Sequence, residues 1–599
     1  MSNAKNFKEL PLGGESFSQL IRTGKYYVDK TSFLKTVFAE DSSSVLLFTR
    51  PRRFGKTLLM HMFADFLQIN RQDPANTDFQ KELFRSTVII KDKNFVDNFM
   101  GKFPVIFLSL KSVSGDDFDE AYAMLAESLA TLGKSFAYLR ESPKLLPEDK
   151  LLLGNLCNQY FLEDRKNRST LVSALKTLSR CLYQHFNHQI ILLIDEYDVP
   201  LAKAADKGYH EKMVTLMSSF FDVLKITPGN TENNVPTIFK IVMTGCLKVA
   251  KNSIFTGVNN TITNTVLDTQ VQFSSIIGFN KDETVKLLND YGLTKYLPLV
   301  KNNYDGYKFF HDDIFCPWDV LNFVAKNYRH VINHTEQYIK AENFWNNSTA
   351  SNALKGYVNY LSSNVNAQLQ DLVDGKNIEV EVNDSMNYDD LRWHHPEDFI
   401  SLLIHTGYLT CLGFTADGKY LLKIPNKEIL ECFKKNIQDN FDDTVLSGNE
   451  NKAVKIAKAF LNGDTETAEN ELSRLLQSYI SVRDLASRSK KENLYQVFLS
   501  GILANCGTFI SEYRSNAEAG DGYLDFSFKD QNGKLASVIE IKYCQKSAQM
   551  EDEMSKALIQ ITSKRYAQNL IDDLSVKSVL AYALVFSGKY CRIKKQKLK

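Results

Sequence analysis

At 599 residues the chain is too long for one hydrophobic core, so roughly three or four domains are expected. Apolar content of 44% and charged content of 24% are ordinary for a soluble globular protein. A formal net charge of +1 excludes a global bias toward nucleic acid, so any such binding must rest on local patches. The nine cysteines run from Cys157 to Cys591 without one C-x-x-C pair. Odd number and scatter argue against a disulfide framework and against structural zinc, and they fit a reducing cytoplasm. The start, Met1-Ser2-Asn3-Ala4-Lys5, has no apolar stretch of signal-peptide length. No segment approaches the roughly 18 apolar residues that span a bilayer. The expectation is a cytoplasmic protein with no membrane partner.

From the start to about residue 330, short apolar runs at 45–48, 105–108, 190–194 and 239–243 alternate with helix-length segments. That pattern predicts an α/β domain, 1–330, built on a mostly parallel sheet covered on both faces. The first run leads into Arg50-Pro51-Arg52-Arg53-Phe54-Gly55-Lys56-Thr57. A P-loop reads G-x-x-x-x-G-K-[ST], and here Arg50 replaces its first glycine. The rest of the chemistry remains. Gly55 lets the backbone approach phosphate, Lys56 neutralises phosphate charge, and Thr57 offers a hydroxyl to Mg²⁺. The helix that follows aims its N-terminus at the anion. Arg52 and Arg53 either bind phosphate or bridge to carboxylates. The third run ends in Asp195-Glu196, a Walker B pattern. Asp195 would hold Mg²⁺ through water and Glu196 would orient or deprotonate the attacking water. The fourth run ends at Thr244-Gly245, where a sensor residue would lie between the two motifs. An isolated Gly-Lys-Thr is common by chance; the strand before it, the helix after it and the strand–Asp–Glu downstream make ATP the expected cofactor.

Residues 331–485 read as a mainly helical connector. Within it, 408–413 and 418–424 form a small hairpin, and another helix starts near Asn426. The order helix, hairpin, helix suggests a winged-helix-like piece, with a plain spacer as the alternative. Residues 464–476 read as an amphipathic helix.

The last unit, 486–599, runs helix (492–504), strand, hairpin, strand, helix (551–569) and a further strand at 576–586. The lysine-rich end, 592–599, reads as a solvated tail, with a local basic patch as the alternative. Asn532-Gly533 between two alternating runs is a strong hairpin signal. With those two as the central turn residues, the register sets Asp525 opposite Glu540. Carboxylates directly opposite lie about 4.5–5.5 Å apart at Cβ and repel unless a cation sits between them. Alternation puts Lys542 on the face of Glu540 and turns Ile539 and Ile541 toward the core. Asp525 and Glu540 are hard oxygen ligands for Mg²⁺, with Mn²⁺ as an alternative at this site. Lys542 could place the water or stabilise phosphorane charge. The bland alternative is a solvated strand face bearing ordinary charges.

These motifs resemble a two-part family, AAA-ATPase-like proteins with a C-terminal PD-(D/E)XK nuclease-like domain. Leu10-Pro11-Leu12-Gly13-Gly14 and Tyr26-Tyr27-Val28-Asp29-Lys30-Thr31 look like its opening, and Arg50 to Thr57 matches its R-P-R-R-F-G-K-T form. Thr244-Gly245, Phe255-Thr256-Gly257-Val258-Asn259-Asn260, Tyr304-Asp305-Gly306-Tyr307-Lys308-Phe309 and Pro317-Trp318 are similar as well. Glu492-Asn493-Leu494-Tyr495 and the stretch from Asn516 to Asp525 look like the segments before its metal Asp. Gln560-Ile561-Thr562-Ser563-Lys564-Arg565-Tyr566 resembles its Q-I-x-x-K-x-Y helix, which implies a supporting or substrate-contacting role for Gln560. An arginine is usual where Lys308 stands, and a basic residue where Tyr523 stands. The resemblance implies an ATP-gated, metal-dependent nuclease acting on DNA or RNA. A signalling or assembly switch whose last domain binds without cleaving is the alternative. ATPases of this type often complete their sites in trans with an arginine, so a homo-oligomer is an implied partner state; no single arginine stands out as that finger.

Overall fold

A computed structural model of the chain describes residues 7–38, 44–225, 236–248, 261–268, 270–345, 368, 371–372, 375–383, 386, 388, 390, 396–433, 452–479, 491–504, 506, 509–544, 547–588 and 590–599. The chain forms two compact units. One comprises Met1–Ala350 and Gly375–Cys432, the other Ser351–Asp374 and Phe433–Lys599.

The first unit is built on a five-stranded parallel sheet of β1 (Val45–Thr49), β2 (Val105–Ser109), β3 (Ile190–Asp195), β4 (Ile238–Gly245) and β5 (Thr261–Asn264), in the order β2-β3-β4-β1-β5. Every residue of β1 and β3 is buried, because helices cover both faces. Helix α1 (Lys56–Leu67) packs on β2, β3 and β4 from one side. On the other, α2 (Phe118–Ser135) and α3 (Ala174–Phe186) share a core with Val45, Leu47, Leu192 and Met243. In α3, Leu175, Leu178 and Leu182 recur at helical spacing and form the buried stripe. Asn187, in the left-handed region, ends it and donates its N–H to Tyr183 O at 2.7 Å. The four runs read from sequence are β1 to β4, and the expected parallel sheet is present.

A second, antiparallel sheet of β6 (Phe279–Asn280), β7 (Tyr307–Phe309) and β8 (Asp312–Phe315) was not visible in the sequence, since two to four residues are too few for a period. At Gly306 (φ +98°) a Cβ would come within 2.0 Å of Pro425 O, so only glycine fits there. Then follow α4 (Pro317–Ile332), β9 (Ile378–Val380), α5 (Pro396–Thr406), β10 (Thr410–Phe414) and β11 (Tyr420–Lys423). The predicted hairpin is β10–β11, and β9 adds a third strand to it. Asn426 Oδ1 accepts the Ile429 N–H at 3.0 Å and starts the next helix. The order helix, hairpin, helix is therefore present.

In the second unit a mixed sheet runs β12-β13-β14-β15-β16. Helices α6 (Lys452–Asn462), α7 (Thr465–Tyr479) and α8 (Lys491–Ala504) cover one face. The strands are β12 (Ile510–Ala519), β13 (Gly522–Asp530), β14 (Leu535–Tyr543), β15 (Ser578–Ser587) and β16 (Tyr590–Lys597). Helix α9 (Met550–Ser563) covers the other face. Only β14 and β15 pair in parallel.

Three sequence expectations are corrected here. The lysine-rich end is an edge strand, β16, with Cys591 buried. Its Arg592 pairs with Glu469 and its Lys594 with Glu551, and charged side chains of this kind protect a sheet edge from further pairing. The helix expected over 551–569 stops at Ser563, and Gln568–Asp572 is a separate short helix; Arg565, at φ +53°, turns the chain between them. The β13–β14 turn is wider than a two-residue loop. Gly533 N–H donates to Asp530 O at 2.9 Å, which makes Gln531 and Asn532 the central residues, and Gly533 follows at φ +66°. The Asp530 carboxylate closes the loop by accepting the Lys534 and Leu535 N–H groups. The loop widens symmetrically, so the predicted register survives as Phe526↔Ile539 and Ser527↔Val538.

Candidate active sites

In the first unit, four elements converge at the C-terminal edge of the sheet. Gly55, at φ +97°, is the N-cap of α1 and supplies no side-chain cap. A Cβ at Gly55 would meet nothing within 4 Å, which leaves open space at the N-terminus of α1, where the first N–H groups of a helix have no partner within it and suit an anion. Lys56 is buried. Its ammonium donates to Arg50 O at 3.0 Å and Pro51 O at 3.2 Å, and pairs with Glu196 at 3.4 Å. Burial alone would lower the Lys56 pKa, but Cys246, Glu196, Asp198 and Asp195 around it raise it above the ordinary lysine value. Thr57 Oγ1 donates to Asp195 Oδ2 at 2.8 Å, and Thr244 Oγ1 donates to Asp195 Oδ1. Strand β4 lies between β1 and β3, so Thr244 stands between the two motifs as the sequence suggested. Burial pushes the Asp195 carboxyl up, against the pull of the Thr244 hydrogen bond. Glu196 sits in the left-handed region at φ +53°, and its buried Oε2 has no hydrogen-bond partner among the described residues.

The missing glycine has a structural explanation. Arg50 is 1% exposed, and its guanidinium donates to Thr49 O, Asn264 O, Asn264 Oδ1 and Phe273 O. It also lies 4.8 Å from the Phe309 ring centroid. Arg50 thus ties the loop to β5 and β7. Restoring the glycine with Arg50→Gly is expected to destabilise the protein by about 3 kcal/mol or more, because it strands several buried acceptors and leaves a cavity. Urea unfolding of the two proteins checks this. The neighbouring arginines diverge. Arg53 leaves the loop, donating to Phe344 O at 2.8 Å and covering the Trp318 ring at 4.9 Å. Burial opposes the Arg52 charge, but Cys246, Tyr388, Glu196 and Asp198 outweigh it and hold its pKa above the ordinary value.

Two residues here were missed in the sequence. Asp198 is 1% exposed, and its Oδ2 accepts from Cys246 N–H at 3.0 Å, Leu247 N–H at 2.9 Å and Tyr388 Oη at 2.9 Å. It fixes the chain just past Thr244. Asp198 stands three residues after Asp195, a signal available in principle, whereas Tyr388 lies 190 positions away and gave none. Tyr388→Phe removes a donor to a buried carboxylate and is expected to cost about 1.5–3 kcal/mol in urea unfolding. Lys308 pairs with Asp313 at 2.6 Å inside the β7–β8 hairpin. The motif Phe255 to Asn260 lies outside the described residues.

In the second unit, the β13–β14 ladder ends at Phe526↔Ile539, so Asp525 and Glu540 stand where the strands part. Asp525 Oδ2 accepts the Ile541 N–H at 2.6 Å. Glu540 pairs with Lys542 at 2.9 Å through Oε1, while its buried Oε2 has no hydrogen-bond partner among the described residues. Ile539 and Ile541 lie in the core on the other side. The predicted triad is therefore brought together. Two residues of α8, one turn apart, join it. Gln496 donates to Asp525 Oδ1 at 3.0 Å, and Glu492 accepts the Tyr543 N–H at 3.4 Å. Their i, i+4 spacing on a helix was the available signal. Gln560 donates to Tyr566 Oη at 3.3 Å, and no hydrogen bond joins it to the triad among the described residues.

Burial, and then the nearby Asp525 charge, push the Glu540 carboxyl up to about 7, with Lys542 pulling the other way. Burial also raises Asp525. Burial alone would lower Lys542, but Glu540, Glu492 and Asp525 hold it above the ordinary value. The folded protein thus keeps a proton on Glu540 that the unfolded chain has lost between about pH 4.5 and 7. Stability present below that window is lost as pH rises through it, on the order of 3 kcal/mol without metal. Glu540→Gln should therefore stabilise the metal-free protein at pH 8 and change it little at pH 4.5. Urea unfolding in EDTA at both values measures this.

Among the described residues no helix is long and apolar enough to cross a membrane. No group of three or more His, Cys, Asp or Glu is placed there to hold a metal. The C-terminal site offers two carboxylates, and the unpartnered Glu540 Oε2 fits a cation. No curated protein matches the chain. Two family models do: residues 11–255 match one described as predicted AAA-ATPase, and residues 490–596 match the PD-(D/E)XK nuclease superfamily. Such domains generally imply a nucleotide, a divalent metal and a nucleic-acid substrate. Both matches fall on the sites just described, and the chain joins an AAA-ATPase-like domain to a domain of the PD-(D/E)XK nuclease superfamily.

Proposed function

We propose that the protein binds and hydrolyses ATP and that its nucleotide state governs a metal-dependent nuclease cleaving DNA or RNA. The observation that carries this is Glu540, a buried carboxylate with one oxygen unpartnered beside Asp525 and Lys542, in a chain that also sets Thr57 and Thr244 on Asp195. In the first site, bound Mg²⁺–ATP supplies the reactive phosphate. Lys56, now paired with Glu196, would turn to the phosphates, and Thr57 and Asp195 would hold the cation. Thr244 keeps Asp195 oriented, and Glu196 would take the proton of the attacking water. In the second, Asp525 and Glu540 would hold a divalent cation, which would supply Lewis acidity at the scissile phosphate. Gln496 and the Ile541 N–H fix the Asp525 carboxylate, and Lys542 stabilises charge developing on the phosphoryl oxygens. Of the two neighbouring arginines, Arg52 would be the one to meet phosphate, since Arg53 is engaged with Phe344 O and the Trp318 ring.

The test is cleavage of labelled single- and double-stranded DNA and RNA with Mg²⁺ or Mn²⁺, with and without ATP. Metal-dependent cleavage that changes with ATP is expected. ATP binding without cleavage of any substrate would sink the nuclease and leave a binding switch.

A further inference from the structure

Past Phe526↔Ile539, strand β13 leaves β14 and continues with β12 alone, through Ala517↔Leu524, Glu518↔Tyr523 and Ala519↔Gly522. The tip of this ribbon is locked onto the end of α9. Asp521 N–H donates to Lys564 O at 2.9 Å, and Asp521 pairs with Arg565 at 3.4 Å. A Cβ at Gly520 would meet Lys564 O at 2.1 Å, so only glycine allows the approach. Ala519 and Leu524 are buried with Ile561 and Tyr566. The ribbon is therefore held in place rather than waving free.

Strand alternation turns Tyr523 away from Leu524 and onto the face of Asp525, with the two Cα atoms about 7 Å apart. The Tyr523 side chain is 66% exposed. Lys564 and Arg565 at the end of α9 are exposed cations at the ribbon tip, Arg565 being paired with Asp521, and Arg514 is exposed farther along β12; Glu518, across from Tyr523, and Asp521 are the acidic neighbours. A rigidly mounted, exposed ring next to a cleavage carboxylate, with cations nearby, is the combination that binds single strands. Aromatic rings take up bases, and basic groups take up the backbone. A paired and stacked base offers such a ring no face.

We propose that Tyr523 is a stacking platform for the nucleobase next to the scissile phosphodiester, which makes the substrate single-stranded or locally unpaired nucleic acid. This rests on the nuclease reading and narrows its substrate class. Tyr523 touches the base and sets specificity, and Asp525, Glu540 and Lys542 do the chemistry.

The experiment measures binding by fluorescence anisotropy in the cleavage-defective Lys542→Ala background. Tyr523, Tyr523→Ala, Tyr523→Phe and Tyr523→Trp are compared on single-stranded DNA, single-stranded RNA and duplex DNA. A single abasic nucleotide is then walked along the preferred single strand. Tyr523→Ala should weaken single-strand binding about ten-fold or more and leave duplex binding unchanged, and Phe and Trp should restore it. One abasic position should cost the Tyr523 protein the same factor and cost Tyr523→Ala nothing further. The DNA and RNA arms then say which sugar the site takes. Equal single-strand binding by the Tyr and Ala proteins, or equal abasic penalties in both, would overturn the platform alone. No binding of any nucleic acid by any of the four proteins would overturn the nuclease reading with it.

Discussion

Lys542→Ala should cut phosphodiester cleavage by at least about 1000-fold while the protein stays folded. The ammonium stands 2.9 Å from Glu540 and balances the charge of Glu540, Glu492 and Asp525. Its removal acts twice. It takes away a charge aimed at the transition state, and it lets the Glu540 carboxyl rise further above about 7, so that a proton competes harder for the metal's place. The fold should tolerate the change, because the Lys542 side chain is 21% exposed and sits at the open end of β14. Lys542→Arg keeps the charge and misplaces it, and it should fall between the two. Gel assays with each substrate and metal, with circular dichroism as the folding control, provide the measurement. Wild-type cleavage rates in Lys542→Ala would remove this site from the chemistry.

What the sequence revealed and what it hid follow from the range of each interaction. The P-loop, the Asp195-Glu196 end of β3 and the apolar runs of the parallel sheet are local signals, and they were readable. The β13–β14 register that brings Asp525 beside Glu540 was readable although the turn type was not. A loop widened by one residue on each strand keeps the same register, and the Asp530 carboxylate that closes it gives no periodic signal. Arg50 looked like a lost glycine, because its partners Asn264 and Phe273 are more than 200 positions away. Tyr388 on Asp198 is hidden for the same reason. The C-terminal strand was masked by its lysines. Charge at a sheet edge and charge in a solvated tail read alike until Cys591 is seen to be buried.

The closing prediction concerns the link between the two sites, and it needs two variants of opposite sign. Lys56→Ala removes the ammonium that would meet the phosphates, and ATP affinity should fall by about 100-fold or more, as expected for losing a buried charge-assisted contact. Glu196→Gln should bind ATP at least as well as wild type. The carboxylate that holds Lys56 at 3.4 Å is then gone, while the group that would take the proton from water is also lost, so hydrolysis should drop by about 100-fold or more. One variant is thus held empty and the other is held loaded. If nucleotide state governs the nuclease, their cleavage rates in saturating ATP must lie on opposite sides of the wild type. Whichever is faster tells whether the loaded or the empty state is the active one. Isothermal titration of ATP, phosphate release and nuclease rates from the same preparations decide it. Equal cleavage by both variants, with ATP binding lost in one and kept in the other, would show two independent activities on one chain.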